Sequence, residues 1–209
     1  MGATPWTFGS LISELRDRAA AVSPQVSETS DVSSVLLESL RHGDLDIALV
    51  HLPTDFPGIA GIPLARYRYS VMVSERTELP GDGPLLLSDL RGQRLLSLPL
   101  MMQPTPMATM LGRIRDAGVE SIEEIDLRDV IGLRSRIDRT GELMLVSRSD
   151  DLPTTRFFDL EHATLRPLAD DELDFEVGLA WRERDAVHRE AISAIVEAMR
   201  PPGGVPPPL

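Results

Sequence analysis

Side chains that donate or accept hydrogen bonds cluster at three predicted helix starts, Thr4 to Trp6, Asp31 to Ser34 and Gln103 to Thr105. The first amides of a helix have no partner within the helix, and the positive end of the helix dipole favours an anion such as a carboxylate. The hydroxyl groups in and beside these segments belong to Thr4, Thr7, Ser33, Ser34 and Thr105. Helix capping is the commoner role of such residues, so the pattern indicates either an anion site or ordinary caps.

Three methionines and a tryptophan are candidates for the wall of an apolar pocket. Met101, Met102 and Met107 would form a wall that adapts to its ligand, and Trp6 offers a flat face for stacking. Both residue types also fill hydrophobic cores. The sequence therefore leaves a pocket role and a core role open for each of them.

The residues that catalysis or metal binding requires do not occur in the necessary combinations. No two histidines stand at metal-ligand spacing, and the nucleophile elbow, the P-loop and the dinucleotide-binding glycine pattern are absent. The histidines are His42, His51, His162 and His188. The acidic clusters 123–124 and 170–172 are typical of solvated faces or turns. The sequence predicts a binding protein with no cofactor and no metal, not an enzyme.

Composition and charge exclude several classes of partner. The chain of 209 residues carries a formal net charge of −12, which would repel nucleic acid. The absence of cysteine excludes disulfides and thiolate chemistry. No apolar run approaches the roughly 20 residues that cross a bilayer, and the first residues lack the pattern of a signal peptide. We therefore expect a cytoplasmic protein that does not contact membranes.

Helical and strand patterns alternate along the chain. Apolar residues recur at helical spacing in segments 11–22, 36–42, 105–117 and 185–199, and 129–139 is predicted as a helix with poor amphipathicity. Strand patterns occupy 46–50, 67–73, 95–98, 122–127, 143–146 and 175–181. This alternation predicts an α/β fold with mainly parallel sheets. Thr105 is predicted as an N-cap with Pro106 as the first helical residue.

One segment narrows the fold further. Residues 36–50 read LLESLRHGDLDIALV, so that a helix ends on Gly43 and a tight turn leads through Asp46 into a buried strand. This segment resembles the signature LL..L..G.LD.A.V of the LysR-type transcription regulators. Other pieces follow in the family's order: the helix that ends before Pro24, Ile62–Leu64, Leu87–Gln93 and Thr140–Val146. The likeness extends over residues 2–200.

The resemblance implies a particular architecture. Two Rossmann-like lobes with mainly parallel sheets would be joined by two crossover strands, as in the type 2 periplasmic-binding-protein fold. Residues 1–72 and 173–200 would form lobe I, and residues 73–172 would form lobe II. Residues 201–209, which contain five prolines and two glycines, would be a disordered tail.

The resemblance also implies where a ligand binds. Effectors of this family contact strand-to-helix junctions that face the cleft between the lobes, and a further junction that falls near residue 128. The candidate ligand-binding residues are Thr4, Trp6, Thr7, Ser33, Ser34, Pro99, Met101, Gln103, Thr105 and Arg128. Arg128 would pair with an acid group of the ligand, although a solvated surface arginine is the commoner case.

The chain departs from the family pattern in two regions. Arg134, Arg136, Asp138 and Arg139 stand where a small, apolar helix end is usual, and Ser147 replaces the usual proline. In the family a central strand of lobe I precedes the Gly-Ala-Thr-Pro segment, whereas only Met1 precedes it here. We expect this first strand to be missing. A partner chain or residues 6–8 would then have to fill its place, because unpaired buried backbone groups are costly.

The function implied is that of the effector-sensing domain of a LysR-type regulator. A small organic acid would bind between the lobes of a homodimer or homotetramer, with helices near 11–22 and 36–42 as candidate contacts. DNA would be bound only through an N-terminal winged helix-turn-helix that is absent from this chain. Two alternatives stay open: a stand-alone periplasmic-type solute-binding protein, and a dimerisation module that binds no ligand.

Overall fold

The described residues of the chain fold into two five-stranded sheets with helices packed against them. The structure is a computed structural model that describes residues 1–5, 7, 9–102, 104–126, 129–147, 163–169, 173 and 175–201. The strands are β1 (Gly2–Ala3), β2 (Thr29–Ser30), β3 (Ile47–Leu52), β4 (Ile59–Tyr67), β5 (Tyr69–Ser74), β6 (Arg94–Ser97), β7 (Ser121–Glu124), β8 (Leu143–Ser147), β9 (Ala163–Pro167) and β10 (Phe175–Arg182). The helices are α1 (Gly9–Val22), α2 (Ser33–His42), α3 (Pro104–Asp116), α4 (Val130–Thr140), α5 (Glu183–His188) and α6 (Glu190–Met199).

The first sheet has the strand order β2-β1-β3-β10-β4. Strands β2, β1 and β3 run parallel, whereas β10 is antiparallel to both β3 and β4. Every residue of β3 is buried, which confirms the strand predicted from the unbroken apolar run that follows Gly43.

The second sheet has the order β7-β6-β8-β5-β9 and the same mixture of directions. Strands β7, β6 and β8 are parallel, and β5 is antiparallel to β8 and β9. The chain enters this sheet at Arg68, which separates β4 from β5 and interrupts the single strand predicted over 67–73. The lobe boundaries at 72/73 and 172/173 stay predictions.

Helices cover the sheets through apolar faces of helical spacing. Leu15 of α1 and Ile195 of α6 belong to one cluster on the first sheet, and Leu36 of α2 belongs to another. On the second sheet, Met107 and Ile114 of α3 pack into a third cluster. None of the helices among the described residues is both long and apolar enough to span a membrane.

Helix α2 ends at the glycine turn that the sequence predicts. Gly43 adopts a φ of 93°, the left-handed conformation that glycine accommodates without steric cost. Its amide donates to the carbonyls of Ser39 and Leu40. The buried Arg182 guanidinium also donates to the Leu40 carbonyl, so the end of α2 is fastened to the end of β10.

The expectation that the first strand is missing is wrong. Gly2–Ala3 forms the internal strand β1, which pairs with β2 on one side and with β3 on the other. A Cβ atom added at Gly2 would lie 2.7 Å from Leu36 Cδ2 and 2.8 Å from Leu45 Cδ1. The strand fits here because its first residue has no side chain.

Two predicted helix starts also differ from the structure. Helix α3 begins at Pro104, so Thr105 lies within its first turn and is not its N-cap. Val32 precedes α2 without any side-chain cap, and Ser33 and Ser34 are the first helical residues. The predicted last helix is divided into α5 and α6 at Arg189. Of the predicted tail, only residue 201 lies within the described part of the chain.

Candidate functional site

A cleft of about 310 Å³ lies where elements of the first sheet meet α3 of the second. Its walls come from the first half of α2, the end of β3 with the loop that follows, and the start of α3. The lining residues are Ser33, Ser34, Leu37, Glu38, Arg41, His51, Pro53, Thr54, Asp55, Phe56, Pro57, Pro104, Thr105 and Pro106. The prolines, Leu37 and Phe56 make much of this wall apolar, as is usual in small-molecule sites.

The first turn of α2 borders this cleft through Ser33 and Ser34. Val32 gives no side-chain cap, and the Asp31 carboxylate accepts a hydrogen bond from the Val32 amide at 2.8 Å. The Val35 and Leu36 amides donate to the Val32 carbonyl, at 3.0 and 3.1 Å. The helix start therefore keeps the positive dipole end that attracts anions, without a side-chain carboxylate in the capping position.

His51 and Ser33 join β3 to the start of α2. The Ser33 hydroxyl accepts the His51 backbone amide at 3.1 Å and lies 3.0 Å from His51 Nδ1. The His51 ring is also stacked obliquely on Tyr67, with ring centroids 6.1 Å apart. Burial lowers the pKa of His51 from 6.5 to about 3, so the imidazole is neutral at physiological pH. Ser33 is thus held in place at the cleft wall.

Two hydrogen bonds among the described residues connect elements of the first sheet to the segment 101–105 around the start of α3. The Thr105 hydroxyl donates to Asp55 Oδ2 at 3.1 Å. The Ser34 hydroxyl donates to the Met101 carbonyl over a longer distance of 3.5 Å. Both bonds are exposed to solvent, so they join the two walls without locking them together.

Three buried hydroxyls have no hydrogen-bond partner among the described residues: those of Thr4, Thr7 and Ser97. Thr4 follows β1, Thr7 precedes α1, and Ser97 ends β6. All three therefore lie at strand-to-helix junctions of the kind at which α/β proteins bind ligands. A buried polar group without a partner is unfavourable, and a bound molecule or water would relieve this.

The predicted site residues fall into three groups. Ser33, Ser34 and Thr105 come together in the cleft. Thr4 and Thr7 are buried, Pro99 is partly buried and Met101 is 69% exposed, and none of these four lines it. Trp6, Gln103 and Arg128 lie outside the described residues. Of the methionines weighed for a pocket wall, Met107 belongs to the core.

The charged cleft residues Glu38, Arg41 and Asp55 were not predicted. Asp55 belongs to the Pro-rich loop after β3, and the position of that loop at the end of a buried strand was the available signal. Glu38 and Arg41 repeat the helical spacing of Ser34, so they continue the same face of α2.

The arginine-rich stretch of α4 lies away from this cleft. Arg136 donates to Glu123 and to the buried Glu142, and their carboxylates raise the pKa of Arg136 well above its ordinary range. Among the described residues, no group of three or more acidic or histidine side chains is placed to hold a metal ion.

Two sheets of five strands with a cleft between their helix starts define the type 2 periplasmic-binding fold. The family model described as the LysR substrate binding domain matches residues 2–113. The chain therefore belongs to the family of LysR substrate-binding domains. The helix-turn-strand signature over 36–50 lies within the matched segment. The resemblance to the LysR family that was drawn from the sequence is therefore confirmed.

Solved structures agree with this fold. The effector-binding domain of BenM with its effector benzoate is 18% identical, with a TM-score of 0.67, over 95% of this chain and 89% of that one. The C-terminal domain of a probable LysR family regulator from Rhodococcus sp. RHA1 is 21% identical, with a TM-score of 0.64 and coverages of 95% and 96%. Full-length BenM is 20% identical, with a TM-score of 0.68, and the match covers 95% of this chain but 65% of BenM. A search among curated protein sequences finds no significant match.

Proposed function

We propose that this chain is the effector-sensing and dimerising part of a cytoplasmic transcription regulator and that it binds a small carboxylate without converting it. The observation that carries this proposal is the cleft of about 310 Å³ between α2 and α3, in a member of the LysR substrate-binding family. The BenM domain bound to benzoate is a neighbour of the same fold, which supports a small molecule as the ligand.

The start of α2 is the proposed carboxylate subsite. The Ser33 and Ser34 amides, which precede the first hydrogen bonds of the helix, and the Ser34 hydroxyl supply hydrogen-bond donors, and the helix dipole supplies a positive potential. Ser33 is fixed by its hydrogen bonds with His51, so the first turn is ordered before the ligand arrives. A preordered site loses less conformational freedom when it binds.

Signal transmission would depend on the angle between the two sheets. A ligand that contacts both walls binds more tightly when they approach each other, and so shifts the population toward the closed form. The hydrogen bond of Thr105 with Asp55 already connects these walls, and that of Ser34 with Met101 connects α2 to the segment before α3. A dimer or tetramer, formed through faces that include α1 and α2, would pass this movement to DNA-binding domains.

We assign DNA binding to a different part of the regulator, not to this chain. The net charge of −12 opposes contact with phosphates, so we expect the 209-residue chain alone to bind operator DNA weakly or not at all. A gel-shift assay in which this chain alone binds a specific sequence tightly would contradict that division of roles.

A thermal-shift screen of aliphatic and aromatic carboxylates tests the proposal. A ligand that binds only the folded chain stabilises it by about 2.7 kcal/mol at a concentration of 100 Kd, which is easily measured. The hit should lose its effect with Ser34→Phe, which fills the cleft. Ser193→Phe, at an exposed position of α6, is the matched control and should leave the effect intact. Hits that survive Ser34→Phe, or a screen without hits, would count against the cleft.

A further inference from the structure

The charges that line the cleft do not balance. The Arg41 guanidinium donates to Glu38 Oε2 from Nε at 2.9 Å and from Nη2 at 2.6 Å, so these two side chains neutralise each other. Asp55 receives only the neutral Thr105 hydroxyl, at 3.1 Å, and makes no ion pair with any described residue. The charged side chains of the lining therefore sum to −1.

The negative charge and the proposed anion subsite lie on different parts of the same lining. The start of α2 attracts a carboxylate through its amides and dipole. Asp55 lies on the loop after β3 and faces Thr105 of α3, where the cleft is closed by the second sheet. A ligand with only a carboxylate would place a second negative charge in a cleft that already carries one. The net charge of −12 on the chain adds to this repulsion.

We propose that the cleft selects a zwitterion, a carboxylate that also carries a protonated amine, with the ammonium group bound by the Asp55 carboxylate. This inference rests on the proposed function and specifies its ligand class. The ammonium group supplies the cation that the lining lacks, and its N–H groups make charge-assisted hydrogen bonds to Asp55. Approach of the two walls would remove water from this pair and so strengthen it.

Calorimetric titration of the whole chain with matched ligand pairs tests the inference. The pairs are 4-(aminomethyl)benzoate with 4-methylbenzoate, L-phenylalanine with 3-phenylpropanoate, and L-leucine with 4-methylpentanoate. In each pair that shows binding, the zwitterion should bind at least about tenfold more tightly than the acid without the amine, as expected for one charged hydrogen bond.

Asp55→Asn removes the charge and keeps an oxygen that accepts the Thr105 hydroxyl. This variant should weaken the zwitterion by about tenfold and tighten the amine-free acid, so that the preference disappears. Asp82→Asn, at an exposed acid outside the cleft, is the matched control and should keep the preference. Melting temperatures without ligand establish that both variants are folded.

The outcomes separate this inference from the proposed function. A preference for the zwitterion that Asp55→Asn abolishes and Asp82→Asn retains would support the inference. Equal or tighter binding of the amine-free acids to the wild-type chain would overturn it and leave the proposed function standing, as would a preference that Asp55→Asn does not change. No binding by either member of any pair would overturn both.

Discussion

Replacement of Arg182 by methionine should destabilise the chain by about 3 kcal/mol. The guanidinium is 8% exposed and donates to the Leu40 and Leu45 carbonyls and to Asp185, which is 11% exposed. Methionine keeps the apolar stem but removes the guanidinium that donates to these acceptors. Removal of one partner of a buried ion pair costs about 3–5 kcal/mol. We take the lower value because Arg189 also lies 3.5 Å from Asp185.

Urea unfolding followed by circular dichroism measures this loss directly. For a domain of this size, about 3 kcal/mol corresponds to a fall of roughly 6–12 °C in the melting temperature. Arg184→Met is the matched control, because Arg184 is 73% exposed and lies 3.8 Å from the same carboxylate. It should change the free energy of unfolding by less than about 0.5 kcal/mol. A loss below about 1 kcal/mol for Arg182→Met, or equal losses for both variants, would refute the reasoning.

Three further predictions concern β1, the cleft wall and α4. Gly2→Ala should destabilise the chain by about 1–3 kcal/mol in urea unfolding, since the new Cβ would overlap Leu36; an unchanged midpoint would contradict this close packing. His51 binds a proton near pH 6.5 when unfolded but only near pH 3 when folded, so acid favours unfolding across that window. Relative to His51→Gln, wild-type stability should fall by about 1.6 kcal/mol between pH 6.5 and 5, and parallel pH profiles would disprove the burial argument. Arg136→Met should cost about 2 kcal/mol, and Arg139→Met less than about 0.5 kcal/mol; similar losses would show that the bonds to the buried Glu142 contribute little.

Local interactions made part of the fold predictable. The end of α2 could be placed because Gly43 and the apolar run after it determine a helix stop and a buried strand within a few residues. Strand β1 could not be placed, since two residues are too few for a periodicity. Its place depends on β2 and β3, which are distant in sequence.

The helix starts show where local reasoning is insufficient. Pro104 and Pro106 are equally suited to the first turn of α3, and the sequence pattern favoured the second because Thr105 precedes it. Ser33 resembles a cap, but its hydroxyl contacts His51 of β3, a partner that only the tertiary fold supplies. Capping propensity alone could not decide between these arrangements.

The candidate site was predictable only in part for the same reason. Ser33, Ser34 and Thr105 were found because hydroxyls at helix starts are a local pattern. Asp55 was missed, since its position in the cleft depends on the contact between the loop after β3 and α3. The charge of a cleft depends on which side chains the folded walls bring together, and the sequence alone does not show this.

The proposed function requires that a ligand in the cleft draws the two sheets together. Since the chain has no cysteine, spin labels can be attached uniquely at Val35→Cys on α2 and Ala108→Cys on α3, both at exposed positions. Pulsed electron paramagnetic resonance then measures the distance between them. The ligand with the largest thermal shift should shorten this distance. The distance between labels at 35 on α2 and 183 on α5, both on the side of the first sheet, should stay unchanged. An identical distance distribution at saturating ligand would contradict the account.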